Sequence, residues 1–193
     1  MRRSGHGVSI APPSPWVLTA SGRRFNLDAP RPEDVAPLDL AHALANLCRF
    51  GGHTRVHYSV AQHSILVSEI VGRPFRLAGL LHDAGEAYVG DVVGMLARRM
   101  VEFRDVERKI LDAVAVHFGV PRWQLDAPEV RHADAVALLT ERNSLLPPSP
   151  HPWAEDLAHA RPLRRAIVPL APEAARAAFL QRLHDLTTAR PRR

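Results

Sequence analysis

The chain has 193 residues, a hydrophobic fraction of 46% and a formal net charge of +5 at pH 7. These values predict one globular domain over residues 1–193 with a substantial core, and they exclude a largely disordered chain. No apolar run approaches the roughly 18 residues needed to cross a bilayer, so we expect no membrane association.

A cytoplasmic protein is expected from the cysteine content and the first residues. The single cysteine, Cys48, excludes an intramolecular disulfide and fits a reducing compartment, where we expect it to be a small core residue. Prolines follow the charged start of the chain in place of a secretory apolar segment. Lys109 is the only lysine, and no long basic run occurs, so we expect arginines to bind small anions and do not expect a nucleic-acid partner.

The predicted elements follow one another in five regions. Residues 1–15 are rich in proline and glycine and are predicted to be loose, and residues 16–27 are predicted to form a β-hairpin. A helical core is predicted over residues 38–146, followed by a proline-rich surface crossing at 147–171 and a C-terminal helix at 172–188. The fold prediction is all-α, with about six to eight helices and a small N-terminal hairpin.

Within the core, capping residues and glycines divide the apolar pattern into helices. Asp39 is predicted to be the N-cap of the first helix, which runs to Cys48, and Ser59 is predicted to cap the second. The third helix is predicted to begin at Pro74 and to run through His82 and Asp83 towards Gly90. Three further helices are predicted at Val92–Met100, Val101–Phe118 and Pro128–Leu146.

Histidines and carboxylates recur on these predicted helices in a pattern that suits a metal ion. His63 lies on the second helix, the pair His82-Asp83 on the third, and Asp134 on the last helix of the core. Two imidazoles and two carboxylates suit an octahedral divalent ion such as Mn, Co, Fe, Ni or Mg. Structural zinc is a poor match because there is only one cysteine. On a continuous helix Glu86 would lie one turn beyond His82 and Asp83.

The ordered set His63, His82-Asp83 and Asp134 resembles that of the HD-domain metal-dependent phosphohydrolases. Three sequence motifs are similar to those of one branch of this family, which contains the bacterial 5′-deoxynucleotidases and the small deoxynucleoside triphosphate triphosphohydrolases. These motifs surround His63, run from His82 through Glu86 to Asp91, and surround Asp134. The resemblance covers roughly residues 38–146. It implies an HD-domain helical bundle, in which these four residues hold the metal.

The resemblance also assigns residues around the metal. It implies that Glu86 is the catalytic general base or acid, and that Asp91 contributes to nucleotide binding or to protonation of the leaving group. Arg49 and Phe50 lie close to where that branch carries an Arg-aromatic pair beside the substrate. If the roles of that pair carry over to this chain, Arg49 contacts the phosphate of the substrate and Phe50 packs near its sugar or base. The segment after Asp91 departs from the proline-containing continuation that is commoner in the family.

We therefore expect a divalent-metal-dependent phosphohydrolase that acts on nucleotides. Within it we favour a 5′-nucleotidase that converts deoxynucleoside monophosphates to deoxynucleosides and phosphate. The alternatives are a triphosphohydrolase that releases triphosphate from deoxynucleoside triphosphates and, ranked lower, cleavage of phosphodiesters. From a different class, the protein could be a catalytically idle regulator that binds metal and nucleotide, against which Glu86 argues. The resemblance also implies a homo-oligomer, because members of that family form dimers or larger assemblies.

Overall fold

The computed structural model describes residues 14–151, 157 and 159–188. Most of this part of the chain is α-helical, and a small antiparallel hairpin precedes the first helix. Its helices are α1 (Pro37–Asn46), α2 (Val60–Ile70), α3 (Arg76–Leu81), α4 (Glu86–Val89), α5 (Gly94–Ala97), α6 (Val101–His117), α7 (Arg122–Leu125), α8 (Pro128–Leu145) and α9 (Pro172–Thr188). The prediction of a mostly helical protein with a short N-terminal hairpin is confirmed. Most of the predicted loose segment 1–15 lies outside the described residues.

The hairpin consists of β1 (Trp16–Leu18) and β2 (Arg24–Asn26), with Val17 opposite Phe25. Phe25 is fully buried, and its ring stacks on that of Tyr88 in α4 with centroids 3.7 Å apart. Because α4 also carries Glu86, this contact lets the hairpin support one wall of the site described below.

Asp39 does not cap α1, contrary to the sequence-based prediction. The helix begins two residues earlier, at Pro37, whose fixed φ suits the first helical position. The Asp39 carboxylate instead accepts hydrogen bonds from the backbone N–H of Ser21 (2.8 Å) and from its hydroxyl (2.6 Å). Asp39 is 5% exposed, so these bonds satisfy a buried carboxylate and fasten the hairpin turn to α1.

Helix α2 lies in the centre of the fold and packs against α1, α3, α8 and α9. Its N-terminus is capped as predicted, because the Ser59 hydroxyl accepts a hydrogen bond from the Gln62 N–H at 3.2 Å. Neighbours on several sides bury most of the helix, including a histidine and two serines. The core therefore surrounds α2, so an ionisable side chain buried on this helix is costly unless another group pairs with it.

The predicted third helix is interrupted at the His82-Asp83 pair. Helix α3 ends at Leu81, and residues 82–85 form a turn whose hydrogen bonds join residues three apart, such as Glu86 N–H to Asp83 C=O at 3.1 Å. A Cβ at Gly85 would lie 3.3 Å from the Glu107 side chain, so α6 passes close to this turn. Glu86 consequently opens a separate short helix, α4, and does not continue α3.

The remaining differences from the predicted elements are local. Helix α5 covers Gly94–Ala97 and not the whole of Val92–Met100. The described residues of the crossing at 147–171 contain no α-helix or strand, and they are held against the core by side chains such as Gln62, which donates to the Val168 carbonyl at 2.8 Å. Among the described residues, no helix combines the length and apolar character that a membrane span requires.

Candidate metal centre

His63 reaches the site from the middle of α2, where the surrounding helices bury it completely. Its Nδ1 lies 2.6 Å from Glu141 Oε1 on α8, and a carboxylate at that distance accepts the Nδ1–H. The opposite nitrogen, Nε2, lies 3.3 Å from Asp83 Oδ2 and 3.2 Å from Asp134 Oδ1. The Glu141 contact thus turns Nε2 towards the two predicted carboxylate ligands.

His82 is oriented in the same way by the backbone of α3. Its Nδ1 lies 2.9 Å from the Gly79 carbonyl oxygen, which can only accept, so Nδ1 carries the proton. Its Nε2 lies 3.2 Å from Asp83 Oδ2. Both histidines therefore present Nε2 to the same carboxylate, and each has its other nitrogen occupied by the protein.

The structure brings the four predicted ligands together, three of them closely. Donor atoms of His63, His82 and Asp83 all lie within 4.8 Å of one another. Asp134 approaches from α8 and contacts His63, but it does not belong to that set of three, and its side chain is the most exposed of the four at 41%. The cluster is open to solvent on the Asp134 side.

These residues fit a divalent metal ion. The Nε2 atoms of His63 and His82 are buried and, within the described part of the chain, have no well-formed hydrogen bond. Donors about 2.1 Å from one ion and about 90–109° apart lie about 3.0–3.4 Å from each other. The observed separations of 3.2–3.3 Å between these nitrogens and the Asp83 and Asp134 oxygens fall in that range. His63, His82 and Asp83 can therefore hold an ion, with Asp134 at its edge.

The electrostatics of the cluster favour added positive charge. Burial and the Arg49 charge would lower the pKa of His63, but the carboxylates of Glu141, Asp134 and Asp83 outweigh them and raise it. Burial likewise opposes ionisation of Asp83, yet the two histidines hold its pKa well below the usual range. The carboxylates give the cluster an excess of negative charge, which either a proton on a histidine or a bound cation would reduce.

Glu86 faces this cluster as a poorly solvated carboxyl group. It is 9% exposed, and its Oε2 has no hydrogen-bond partner among the described residues. Burial, and then the charges of Asp83 and Asp91, raise the pKa of Glu86 well above its ordinary value. Burial similarly raises the pKa of the half-buried Asp91. Glu86 therefore holds a proton more readily than an exposed glutamate does, which suits a group that transfers one.

Arg49 supplies positive charge from the loop between α1 and α2. Its guanidinium lies 3.6 Å from Asp83 Oδ2 and 3.4 Å from Glu141 Oε2, with the side chain 11% exposed. The guanidinium also lies over the Phe50 ring, 5.6 Å from its centroid. Phe50 has a left-handed backbone with φ of 57°, which a bulky residue rarely adopts. The loop thus places the predicted Arg-aromatic pair at the cluster.

Cys48, at the base of this loop, is half-buried and is not the enclosed core residue that we expected. Its Sγ lies 3.2 Å from His57 Nδ1, and His57 Nε2 lies 3.1 Å from the Ala45 carbonyl oxygen. The backbone of Cys48 pairs with that of Ser59 and closes the loop, so the side chains of Cys48 and His57 lie side by side.

Glu141 and Tyr58 belong to the site but were missed by the sequence analysis. Glu141 is fully buried on α8, and Tyr58 donates its hydroxyl to Glu141 Oε1 at 2.9 Å. Burial would raise the pKa of Glu141, but the His63 and Arg49 charges and the hydrogen bonds from His63 and Tyr58 lower it to about 2. The available signal was spacing, because Glu141 lies two helical turns after Asp134 and thus on the same face of α8.

Comparison with known proteins identifies relatives but assigns no activity. No protein-family model matches the chain. The chain is 34% identical over 175 residues to YfdR of Escherichia coli K12, covering 91% of this chain and 97% of YfdR. It is 36% identical over 146 residues to a protein of Rhodobacter capsulatus, covering 67% of this chain and 72% of that protein. Both relatives are described as uncharacterized. The chain therefore belongs to the protein family that contains YfdR.

Proposed function

We propose that this protein is an HD-type, divalent-metal-dependent phosphohydrolase that acts on nucleotides, with deoxynucleoside monophosphates as the favoured substrates. One observation carries the proposal. Two histidines present buried Nε2 atoms, which have no hydrogen bond among the described residues, to the same aspartate, beside a poorly solvated glutamate and a largely buried arginine. Metal ligands, a proton carrier and a phosphate-binding cation are the groups that phosphoester hydrolysis requires.

The metal would be held by His63, His82, Asp83 and Asp134, and Mn, Co, Fe, Ni and Mg all remain candidates. When bound, such an ion lowers the pKa of a coordinated water and polarises a phosphoryl oxygen. The solvent-exposed side of Asp134 supports entry of substrate and water from that direction.

Arg49 would bind the phosphate. Its guanidinium already lies between two carboxylates at 3.4 and 3.6 Å, distances that leave room for a stronger bidentate contact with a phosphate group. A guanidinium such as that of Arg49 suits the single phosphate of a monophosphate. The Phe50 ring beneath Arg49 would pack near the sugar or base.

Glu86 would move the proton of the reaction. In 5′-nucleotide hydrolysis a water oxygen bonds to phosphorus and the water gives up a proton, while the bond from phosphorus to O5′ breaks and O5′ gains a proton. The raised pKa of Glu86 suits donation of that proton better than removal of one from water. Asp91, whose pKa is also raised, would assist through substrate binding or the same proton transfer.

The proposal is tested by measuring turnover of a panel of deoxynucleoside mono- and triphosphates with Mn²⁺, Co²⁺ or Mg²⁺, with the products resolved. Phosphate from the monophosphates, absent in Asp83→Ala and retained in a variant of the exposed Asp185 (Asp185→Ala), is the expected result. Triphosphate released from a deoxynucleoside triphosphate would favour the triphosphohydrolase alternative. Metal and nucleotide binding without any product would indicate the idle regulator and refute the enzyme.

Two expectations about the whole protein remain predictions. A cytoplasmic location is expected from the single cysteine, which fits a reducing compartment. A homo-oligomer follows from the resemblance, and the long exposed face of α6 offers a surface for it. Fractionation of cells and light scattering of the purified protein would test them.

A further inference from the structure

Glu141 is a fully buried carboxylate whose hydrogen-bonding and charged partners come from two other segments of the chain. His63 of α2 approaches Oε1 at 2.6 Å, the Tyr58 hydroxyl donates to the same atom at 2.9 Å, and Arg49 approaches Oε2 at 3.4 Å. Burying an ionised carboxylate is costly unless it is paired and hydrogen-bonded. These three partners offset that cost at one point between α2, α8 and the loop that carries Arg49.

The contact with His63 decides which nitrogen of that histidine is available. A carboxylate at 2.6 Å from Nδ1 accepts its proton, so Nε2 becomes the nitrogen that can bind a cation. The same contact fixes the plane of the ring, and Nε2 then lies 3.3 Å from Asp83 Oδ2 and 3.2 Å from Asp134 Oδ1. A histidine that binds a metal commonly donates its other N–H to a carboxylate in this way.

Tyr58 and Arg49 hold Glu141 in place for this contact. Tyr58 is fully buried and directly precedes Ser59, the N-cap of the helix that carries His63. The Arg49 N–H donates to the Tyr58 carbonyl at 2.9 Å, so the two partners of Glu141 are also tied to each other through the backbone. The carboxylate therefore has little freedom to move away from His63.

Stability alone does not account for a charged residue at this position. Replacing buried ionic groups by well-packed apolar groups of similar volume is often neutral or stabilising. The neighbouring buried residues of α8 are largely apolar, for example Ala137 and Leu145. A carboxylate here is explained by the orientation of His63.

We propose that Glu141 is a positioning residue that fixes the His63 tautomer and ring for metal binding, held in turn by Tyr58 and Arg49. The inference rests on the proposed metal centre, but it can fail separately from the proposed reaction, because metal binding is measurable without any nucleotide.

The test is titration of Glu141→Gln with Co²⁺ alone, followed by the visible d–d absorption of the bound ion. We expect the Co²⁺ affinity to fall by about 10- to 100-fold and the absorption band to change, as for other partners of metal-bound histidines. Glu129→Gln, the same chemical change at an exposed position of the same helix, should leave both unchanged. Tyr58→Phe removes one donor to Glu141 and should give a smaller loss, which keeps the test valid if Glu141→Gln does not fold.

Two results would overturn the inference, and they differ in what else they remove. If folded Glu141→Gln or Tyr58→Phe binds Co²⁺ with wild-type affinity and spectrum, Glu141 does not position His63, and the proposed reaction is unaffected. If the wild-type protein itself binds no Co²⁺, the metal centre, the inference and the proposed function fail together.

Discussion

The Glu86 carboxyl group links the stability of the metal-free protein to pH. Burial, and then the charges of Asp83 and Asp91, raise its pKa above the ordinary value of 4.5. The folded protein therefore keeps a proton that the unfolded chain releases above about pH 4.5. When the pKa of a carboxyl group is raised on folding, the contribution of that group to stability is fully present below its pKa in the unfolded chain. This contribution is lost as the pH rises towards its pKa in the folded protein. Glu86→Gln removes this loss, because an amide has no proton to release.

The size of the effect follows from one proton. A difference of one bound proton between the folded and unfolded states changes the free energy of unfolding by about 1.4 kcal/mol per pH unit. The stability of Glu86→Gln relative to the wild type should thus increase by up to that amount per pH unit above about pH 4.5, until the folded pKa is reached. Groups that titrate far from the site are common to both proteins, so their contributions cancel in the difference.

Urea unfolding in the presence of a chelator, at several values between about pH 5 and 8, measures this difference. Glu129→Gln is the control and should follow the wild-type curve. Parallel stability curves for Glu86→Gln and the wild type would refute a buried Glu86 with a raised pKa. With metal restored, Glu86→Gln should bind the ion as the wild type does and lose about 10²- to 10⁴-fold in kcat, the contribution of general acid–base catalysis.

Three further predictions concern residues around the site. Arg49→Met should still bind Co²⁺, with a small loss of affinity because Arg49 helps to hold Glu141, and should lower turnover by roughly 10²- to 10³-fold, because a donor to the reacting phosphate is removed; unchanged turnover would exclude Arg49 from phosphate binding. Gly79→Ala should lower the free energy of unfolding, measured in urea, by about 1–3 kcal/mol, since the added Cβ would lie 3.0 Å from a Val71 methyl. Unaltered stability would show that α2 and α3 can move apart at little cost in free energy. Asp39→Ala should cost about 1–3 kcal/mol through lost bonds to Ser21. The Asp39 pKa is lowered in the folded protein, so the stabilisation from the Ser21 bonds is lost when acid protonates this carboxylate. The free energy of unfolding of Asp39→Ala should therefore fall less in acid than that of the wild type. The Co²⁺ affinity of Asp39→Ala should equal that of the wild type.

Much of the local structure was determined by the sequence within short stretches of chain. Apolar spacing predicted the long helices α6, α8 and α9 to within a residue or two, and Ser59 marked the start of α2 because a cap acts within three residues. The order of histidines and aspartates, read through its resemblance to a known family, predicted candidate metal ligands, and donor atoms of His63, His82 and Asp83 do lie within 4.8 Å of one another.

Contacts between distant residues were decided only by the tertiary structure. Asp39 was expected to cap its own helix, but it bonds Ser21, which lies 18 residues away. The predicted helix through His82 breaks where α6 passes close to Gly85, a contact invisible to local propensity. Glu141 contacts His63 across 78 residues and Tyr58 across 83, so its role could not be read from any single segment. Capping and periodicity arise from interactions between near neighbours in the chain, whereas a buried carboxylate acquires its partners only when separate helices pack together.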